Sequence, residues 1–330
     1  MLILTEQDVA EVLRGRPVYK EAIAAIEEVF RQQATGTTFY HKRVTVEHPD
    51  HPGHLWHNIR ILPGMVPGIG SAAVRVYTGY QGSNRSEVIL LFDWKDMGLV
   101  AIISDYLLHT IRTAAPYGVA TKYLAPPNAR RLGIIGTGRL ARGQVEAVCA
   151  MRDIRHVKAY SRSPENREAF CEEMARTVGI EVVPADSAEE AVRDADIIVA
   201  STSGNQVVLK GDWLRPAVLV MSVAPGEIDE RTVERSRVIL AGTNQALGDS
   251  PPRKPFSTLV ASGRFSEADV AAEFHEVVTG KKPGRLSPEE ITLFVSPGMG
   301  ILDVGVANWI YRLAVEKGVG QEVPFGEKVA

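Results

Sequence analysis

Apolar residues recur at helical spacing in two early stretches, TEQDVAEVL (Val9, Val12, Leu13) and VYKEAIAAIEEVFRQQATG (Ile23, Ile26, Val29, Phe30). The spacing predicts two opening helices, the second stopping at Gly36. From Phe39 to Ile103 the texture changes to short β-rich runs, RVTVEH, HLWHNIRIL, AAVRVYTGY and EVILLFDW, separated by Pro and Gly turn signals. Strands without helices between them predict an antiparallel or mixed sheet. DYLLHTIRTAAPYGVATKYLA reads as helical on both sides of Pro116, and PPNAR then marks a boundary.

Beyond that boundary strand and helix patterns alternate: RLGIIG, LARGQVEAVCAMR, HVKAY, PENREAFCEEMARTV, IEVVPA, SAEEAVRDA, DIIVAST, AVLVMSV, RTVERS and RVILAG. Such alternation predicts a doubly wound parallel sheet. Ser187 and Glu190 have the spacing of a capping box. The final ILDVGVANWIYRLAVEKG predicts an amphipathic helix ending before Gly318. At 330 residues the chain is long enough for two domains.

Composition narrows the function. A net charge of −3 gives no electrostatic case for nucleic acid or an anionic membrane, so small molecules or a second subunit are the expected partners. The two cysteines, Cys149 and Cys171, sit inside helical patterns and suggest neither a disulfide framework nor a metal site, which fits a reducing compartment. The start MLILTEQDVAEVL carries no basic leader, and no apolar run approaches the roughly 20 residues of a membrane span. A soluble, cytoplasmic protein is expected.

The chemistry begins at GIIGTGRLA. Gly136, Gly138 and Ala141 form a G-x-G-x-x-A fingerprint after a predicted strand and at a predicted helix start, so Gly136, Thr137, Gly138, Arg139 and Leu140 are expected to cradle a dinucleotide pyrophosphate. An acidic residue at the end of the second strand would select NAD. Here Ser161, Arg162 and Ser163 stand in that place, and a guanidinium beside hydroxyls suits the 2′-phosphate of NADP.

Taken together, IRTAAPYGVATKYLA, RLGIIGTGRLARGQ, DIIVASTS and ITLFVSPGMGILDVGVANWIYRLA resemble the ornithine cyclodeaminase and mu-crystallin family. The resemblance runs almost end to end. It implies a Rossmann-type doubly wound parallel sheet inserted in a smaller α/β substrate and dimerisation domain. The expected boundaries are 1–124 for the first part of the substrate domain, 125–297 for the NADP-binding domain and 298–330 for C-terminal helices completing the substrate domain. A homodimer is implied as well.

Family chemistry is hydride transfer between a nicotinamide and the Cα of an amino acid or imino acid. The substrate-binding pattern falls on Arg43 in HKRVTV, Arg75 in AAVRVYTG and Arg112 in TIRTAA, with Arg75 standing where the family usually has Lys. Two guanidiniums can grip one carboxylate or two, and an Arg, unlike a Lys, does not give up its proton. The resemblance also places Asn84, Thr113, Thr202, Ser203, Ser222 and Ser296 at the coenzyme. The cyclodeaminase Asp two residues before Pro-Gly is replaced by Val223, whereas Glu227 and Asp229 match an acidic pair at the next helix start, where carboxylates serve the helix dipole.

Other proton donors are sought in HLWHN and LLHTIR. His54 and His57 would face opposite sides of a strand, and His57 and His109 are candidates because imidazole titrates near neutral pH. Trp56 reads as core or dimer interface. The expected function is therefore an NADP-dependent oxidoreductase reducing a carboxylated imine, cyclic or formed from a 2-oxo acid and an amine, or oxidising the matching amino acid. True ornithine cyclisation is not expected. The alternative is a non-catalytic, crystallin-like protein that binds NADP and a small ligand.

Overall fold

Thr5 opens the first helix by accepting a hydrogen bond from the Asp8 amide while the Asp8 carboxylate accepts one from the Thr5 amide, a reciprocal cap. The computed structural model describes residues 1–47, 58–79, 87–203, 206–248 and 253–325. In chain order the first elements are β1 (Leu2–Leu4), α1 (Glu6–Leu13), α2 (Val18–Gln33), β2 (Phe39–Tyr40), β3 (Val44–Glu47), β4 (Asn58–Val66), β5 (Ser71–Thr78), β6 (Glu87–Asp93), β7 (Leu99–Ser104) and α3 (Tyr106–Leu124). Then come β8 (Arg131–Ile135), α4 (Arg139–Met151), β9 (His156–Tyr160), α5 (Pro164–Val178), β10 (Glu181–Pro184), α6 (Ala188–Val192), β11 (Ile197–Ala200), β12 (Leu219–Ser222), α7 (Glu230–Glu234) and β13 (Arg237–Leu240). The last are α8 (Thr243–Gly248), α9 (Phe256–Ala261), β14 (Ala272–Glu273), α10 (Phe274–Val278), β15 (Thr292–Val295), α11 (Gly300–Lys317) and β16 (Gln321–Glu322).

Two units emerge, Met1–Arg112 with Gly298–Ala330, and Thr113–Pro297. The first break falls within α3, earlier than the 124/125 boundary expected from PPNAR. The reason is packing: Tyr117, well before PPNAR, is buried edge-on to Phe294 with ring centroids 5.3 Å apart, inside the second unit. Pro116 lies within this helix and lacks the amide that would reach the Arg112 carbonyl.

The first unit is built on a mixed sheet in the order β16-β1-β7-β6-β5-β4-β2, with β3 also on β4. Its pairs are antiparallel except β1 with β7. The strand β1 went unforeseen, because three residues are too few to show a period. Helices α2 and α11 pack together and onto this sheet. Close approach is possible because a Cβ on Gly64 of β4 would lie 2.5 Å from the Gly300 backbone, and one on Gly305 would lie 2.6 Å from Val29 of α2.

Helix α11 differs from the amphipathic expectation. From Gly300 to Ala307 every residue is buried, Asp303 included, and exposure begins only at Asn308, before Gly318 ends the helix in the left-handed conformation. Among the described residues the C-terminal part of this unit holds one helix and one short strand.

The second unit is a fully parallel sheet, β10-β9-β8-β11-β12-β15-β13-β14. The order reverses direction at β8, so the carboxyl ends of β8 and β11 form a topological switch point, the place where such sheets take their ligands. Strands β11, β12 and β15 are buried throughout, as helices on both faces require. Ser187 caps α6 by accepting from the Glu190 amide, but the Glu190 carboxylate turns to the Asp186 amide, so only half of the expected box forms. Among the described residues no helix is long and apolar enough to cross a membrane.

Candidate functional site

In the second unit the turn after β8 has the shape a phosphate needs. Gly136 adopts φ +109°, and a Cβ there would lie 2.0 Å from the Ser201 carbonyl oxygen, so only glycine permits this approach across the switch point. Gly138, at the N-cap of α4, has open space where a Cβ would be, which leaves the helix N-terminus accessible to an anion. Ala141 is fully buried and lets α4 pack closely. Thr137 donates to the Ser161 hydroxyl at 3.0 Å, joining this turn to the end of β9. Arg139 and Leu140, in the first turn of α4, are both half-buried. Residues of this kind fit a dinucleotide.

At the end of β9, Ser163 caps α5 and Ser161 donates to the Ser163 carbonyl, while Arg162 is exposed. A second guanidinium missed in the sequence stands beside them. Arg167 of α5 donates to the Ser161 carbonyl at 3.2 Å and lies over the Tyr160 ring. Its position one turn into α5 was the available signal.

The strand ends after β11, β12 and β15 are tied together from within. Glu227, fully buried, accepts five hydrogen bonds, from the Thr202 amide and hydroxyl, the Ser222 hydroxyl and the Val223 and Ala224 amides. Burial pushes its carboxyl up, and these hydrogen bonds oppose the shift. The expected helix-dipole role holds only for Asp229, the N-cap of α7. Glu227 instead anchors two loops, an outcome the sequence concealed because its partners lie up to 25 residues away. Tyr117 donates to the carbonyls of Ser222 and Ser296, fixing the ends of β12 and β15. Thr113 begins the second unit and its carbonyl accepts from Gln144, and Ser203 follows Thr202 after β11.

In the first unit a charged cluster is buried at the carboxyl end of β7 and the start of α3. Arg75 of β5 is fully buried; its Nε donates to Asp105 and its Nη2 to Glu87 at 3.3 Å, with the Tyr77 ring 4.1 Å away. Desolvation pulls the Arg75 pKa down, but the charges of Asp105 and Asp303 more than reverse this, so it stays charged. Arg112 approaches Asp303 of α11 at 3.3 Å through Nε without the alignment of a hydrogen bond, and Arg75 Nε stands 3.9 Å from the same oxygen. Both Asp303 oxygens, Arg75 Nη1 and Arg112 Nε are buried with no hydrogen-bond partner among the described residues. Burial raises the Asp303 carboxyl to about 6, against the opposing pull of Arg112 and Arg75.

The structure therefore brings Arg75 and Arg112 together on Asp303. Arg43, exposed just before β3, acts on the same carboxyl through its charge. His109 Nδ1 is 3.5 Å from Glu87. His54, Trp56, His57 and Asn84 lie outside the described residues. Asp105 and Asp303 were missed, although a lone acid within the apolar GMGILDVGVA was a signal, since a buried carboxylate needs a reason. Two of the three Arg75 nitrogens serve the protein's own carboxylates, while Nη1 and the Arg112 Nε have no hydrogen-bond partner among the described residues.

Residues 2–318 match the ornithine cyclodeaminase/mu-crystallin family. The chain is 33% identical over 276 residues to a Delta(1)-pyrroline-2-carboxylate reductase of Bacillus cereus, covering 80% of this chain and 84% of that one. Among solved structures it is similar to Thermococcus litoralis Delta(1)-pyrroline-2-carboxylate reductase in complex with NADH and L-proline, with TM-score 0.87, 32% identity and coverage of 98% and 100%. An archaeal alanine dehydrogenase dimer with bound NAD is also similar, with TM-score 0.87, 29% identity and coverage of 98% and 99%.

Proposed function

The chain belongs to the ornithine cyclodeaminase/mu-crystallin family, and from that premise we propose that it is an NADP(H)-dependent reductase of a carboxylated imine, either cyclic or formed from a 2-oxo acid and an amine. In reverse it oxidises the matching amino acid. The observation that carries this reading is the pair of buried guanidiniums, Arg75 and Arg112, with donors left unmatched beside Asp303. A ligand carboxylate satisfies such donors, and a buried donor without a partner costs about 1–3 kcal/mol. Relatives named for Delta(1)-pyrroline-2-carboxylate make that cyclic imine the first substrate to test.

The bound coenzyme supplies the hydride. The chain's own residues do the rest: Gly136 and Gly138 receive the pyrophosphate, Ser161, Arg162 and Ser163 recognise the 2′-phosphate, and Arg112 with Arg75 Nη1 orients the carboxylate. Thr113, Asn84, Thr202, Ser203, Ser222, Val223 and Ser296 complete the coenzyme contacts, and His57 or His109 supplies the proton. Orientation of this kind contributes much of a rate enhancement when the reactive atoms belong to a cofactor.

Incubating the protein with NADPH and Delta(1)-pyrroline-2-carboxylate should consume coenzyme and yield L-proline, whereas ornithine should yield neither proline nor ammonia, because Val223 occupies the place of the proton-handling Asp. Arg112→Ala should abolish turnover and leave NADPH affinity within about threefold, since the phosphate turn belongs to the other unit. Proline from ornithine would refute this reading of the loop. Val223 also favours a second reading, a binding protein without turnover, which a failure to oxidise NADPH across a broad imine panel would support.

A further inference from the structure

We propose that Asp303 is a proton-dependent positioning residue: it takes up a proton when Arg112 receives a substrate carboxylate, so that binding of the anion and protonation of Asp303 are coupled. The inference rests on the reading of Arg112 as carboxylate anchor. Two guanidiniums, Arg75 and Arg112, share a buried space with three carboxyl groups, Glu87, Asp105 and Asp303. With all five ionised the buried cluster carries one excess negative charge, which Arg43 offsets only from its exposed position, and a ligand carboxylate would add another.

Uncompensated charge in a water-poor interior costs several kcal/mol, and the usual response is that a group gains a proton. The geometry selects which one. Asp105 is held by the Arg75 Nε hydrogen bond, and Glu87 accepts from Arg75 Nη2. Among the described residues Asp303 alone of the three has both oxygens without a hydrogen-bond donor, and the guanidiniums of Arg112 and Arg75 approach it to 3.3 and 3.9 Å. The charges acting on it are those of Arg112, Arg75, Asp105 and Arg43, while α2 and β4 meet α11 through Val29, Ile26 and the Pro63–Gly64 backbone. Its carboxyl already titrates at about 6 without a ligand. Adding an anion at Arg112 raises it further, because the same guanidinium charge can no longer favour ionisation of both.

Below the ligand-free pKa Asp303 is protonated in either state, and affinity for the carboxylate is flat. Above it the free protein must gain a proton to bind, so affinity falls by about tenfold per pH unit until the bound-state pKa is passed. His109, near Glu87, is the competing site for that proton.

The test uses the full chain saturated with NADPH and the planar probe pyrrole-2-carboxylate, titrated by calorimetry in two buffers of different ionisation enthalpy at roughly pH 7.5, above the Asp303 pKa. The wild type should take up close to one proton per probe bound. Asp303→Asn should bind with no uptake and a flat pH profile, Asp303→Glu should restore uptake, and His109→Gln should retain it. No uptake by the wild type, unchanged uptake in Asp303→Asn, or its loss in His109→Gln would each overturn the proposal. Should Asp303→Asn fail to fold, the wild-type affinity series across pH decides alone, a flat profile above 6 being the refuting result. Failure of the wild type to bind the probe at any pH, with NADPH still bound, would instead remove the Arg112 reading itself.

Discussion

At the scale of single residues, the coenzyme preference turns on one short stretch. Arg162 is exposed at the end of β9, flanked by Ser161 and by Ser163 at the α5 cap, and the neighbouring Glu165 carboxylate is engaged by the Ser163 hydroxyl at 2.9 Å rather than standing at the strand end itself. Titration by fluorescence should therefore show tighter binding of NADPH than NADH, and Arg162→Ala should narrow the gap by roughly 10- to 100-fold, the worth of a charge-assisted contact of about 1.5–3 kcal/mol. Equal affinities in the parent protein would contradict the assignment. Arg43, Arg75 and Arg112 were visible in the sequence because the family resemblance marks them. Asp105, Asp303 and Glu227 were not, because a carboxylate acquires its role from partners, and theirs are brought close only by folding: Asp105 meets Arg75 across 30 positions of chain, and Asp303 meets Arg112 from the far end of it.

At the scale of elements, period-based reading succeeded where an element has one buried face and failed where it has two or is very short. Helix α2 shows the helical repeat plainly, with Ile23, Ile26, Val29 and Phe30 buried. Helix α11 does not, since the sheet on one side and α2 on another cover its first turns completely. The small residues Gly64, Gly300 and Gly305 make this possible. Gly64→Ala should consequently force β4 and α11 apart and lower the unfolding free energy by about 1–3 kcal/mol, the usual cost of overpacking, read as a lower denaturant midpoint at unchanged slope. An unchanged midpoint would mean that the contact yields freely.

At the scale of the whole molecule, the described strands of the first unit leave Phe39, Val46 and Ile59 about half exposed, at 56%, 59% and 47%. Apolar residues grouped on β2, β3 and β4 at one side of a sheet call for a cover, and a second copy of the chain is the expected one. Light scattering at micromolar concentration should report twice 36.0 kDa or a higher multiple; a monomer at that concentration would argue against the dimer. The chain order also explains why the phosphate turn begins so late: a complete parallel unit is inserted between two parts of another, whose ends meet where β1 pairs with β16, Leu2 opposite Glu322. By itself the sequence determined the parallel unit, the glycine turn after β8 and the two opening helices, because each is specified by neighbours within one strand–turn–helix span, where period, caps and glycine conformation act locally. Only the tertiary structure decided that three carboxyl groups crowd Arg75 and Arg112, that Glu227 binds loops rather than a helix end, and that α3 belongs to both units. Those outcomes depend on burial and on the distance between charges far apart in the chain, and neither is a property of a residue's neighbours in sequence.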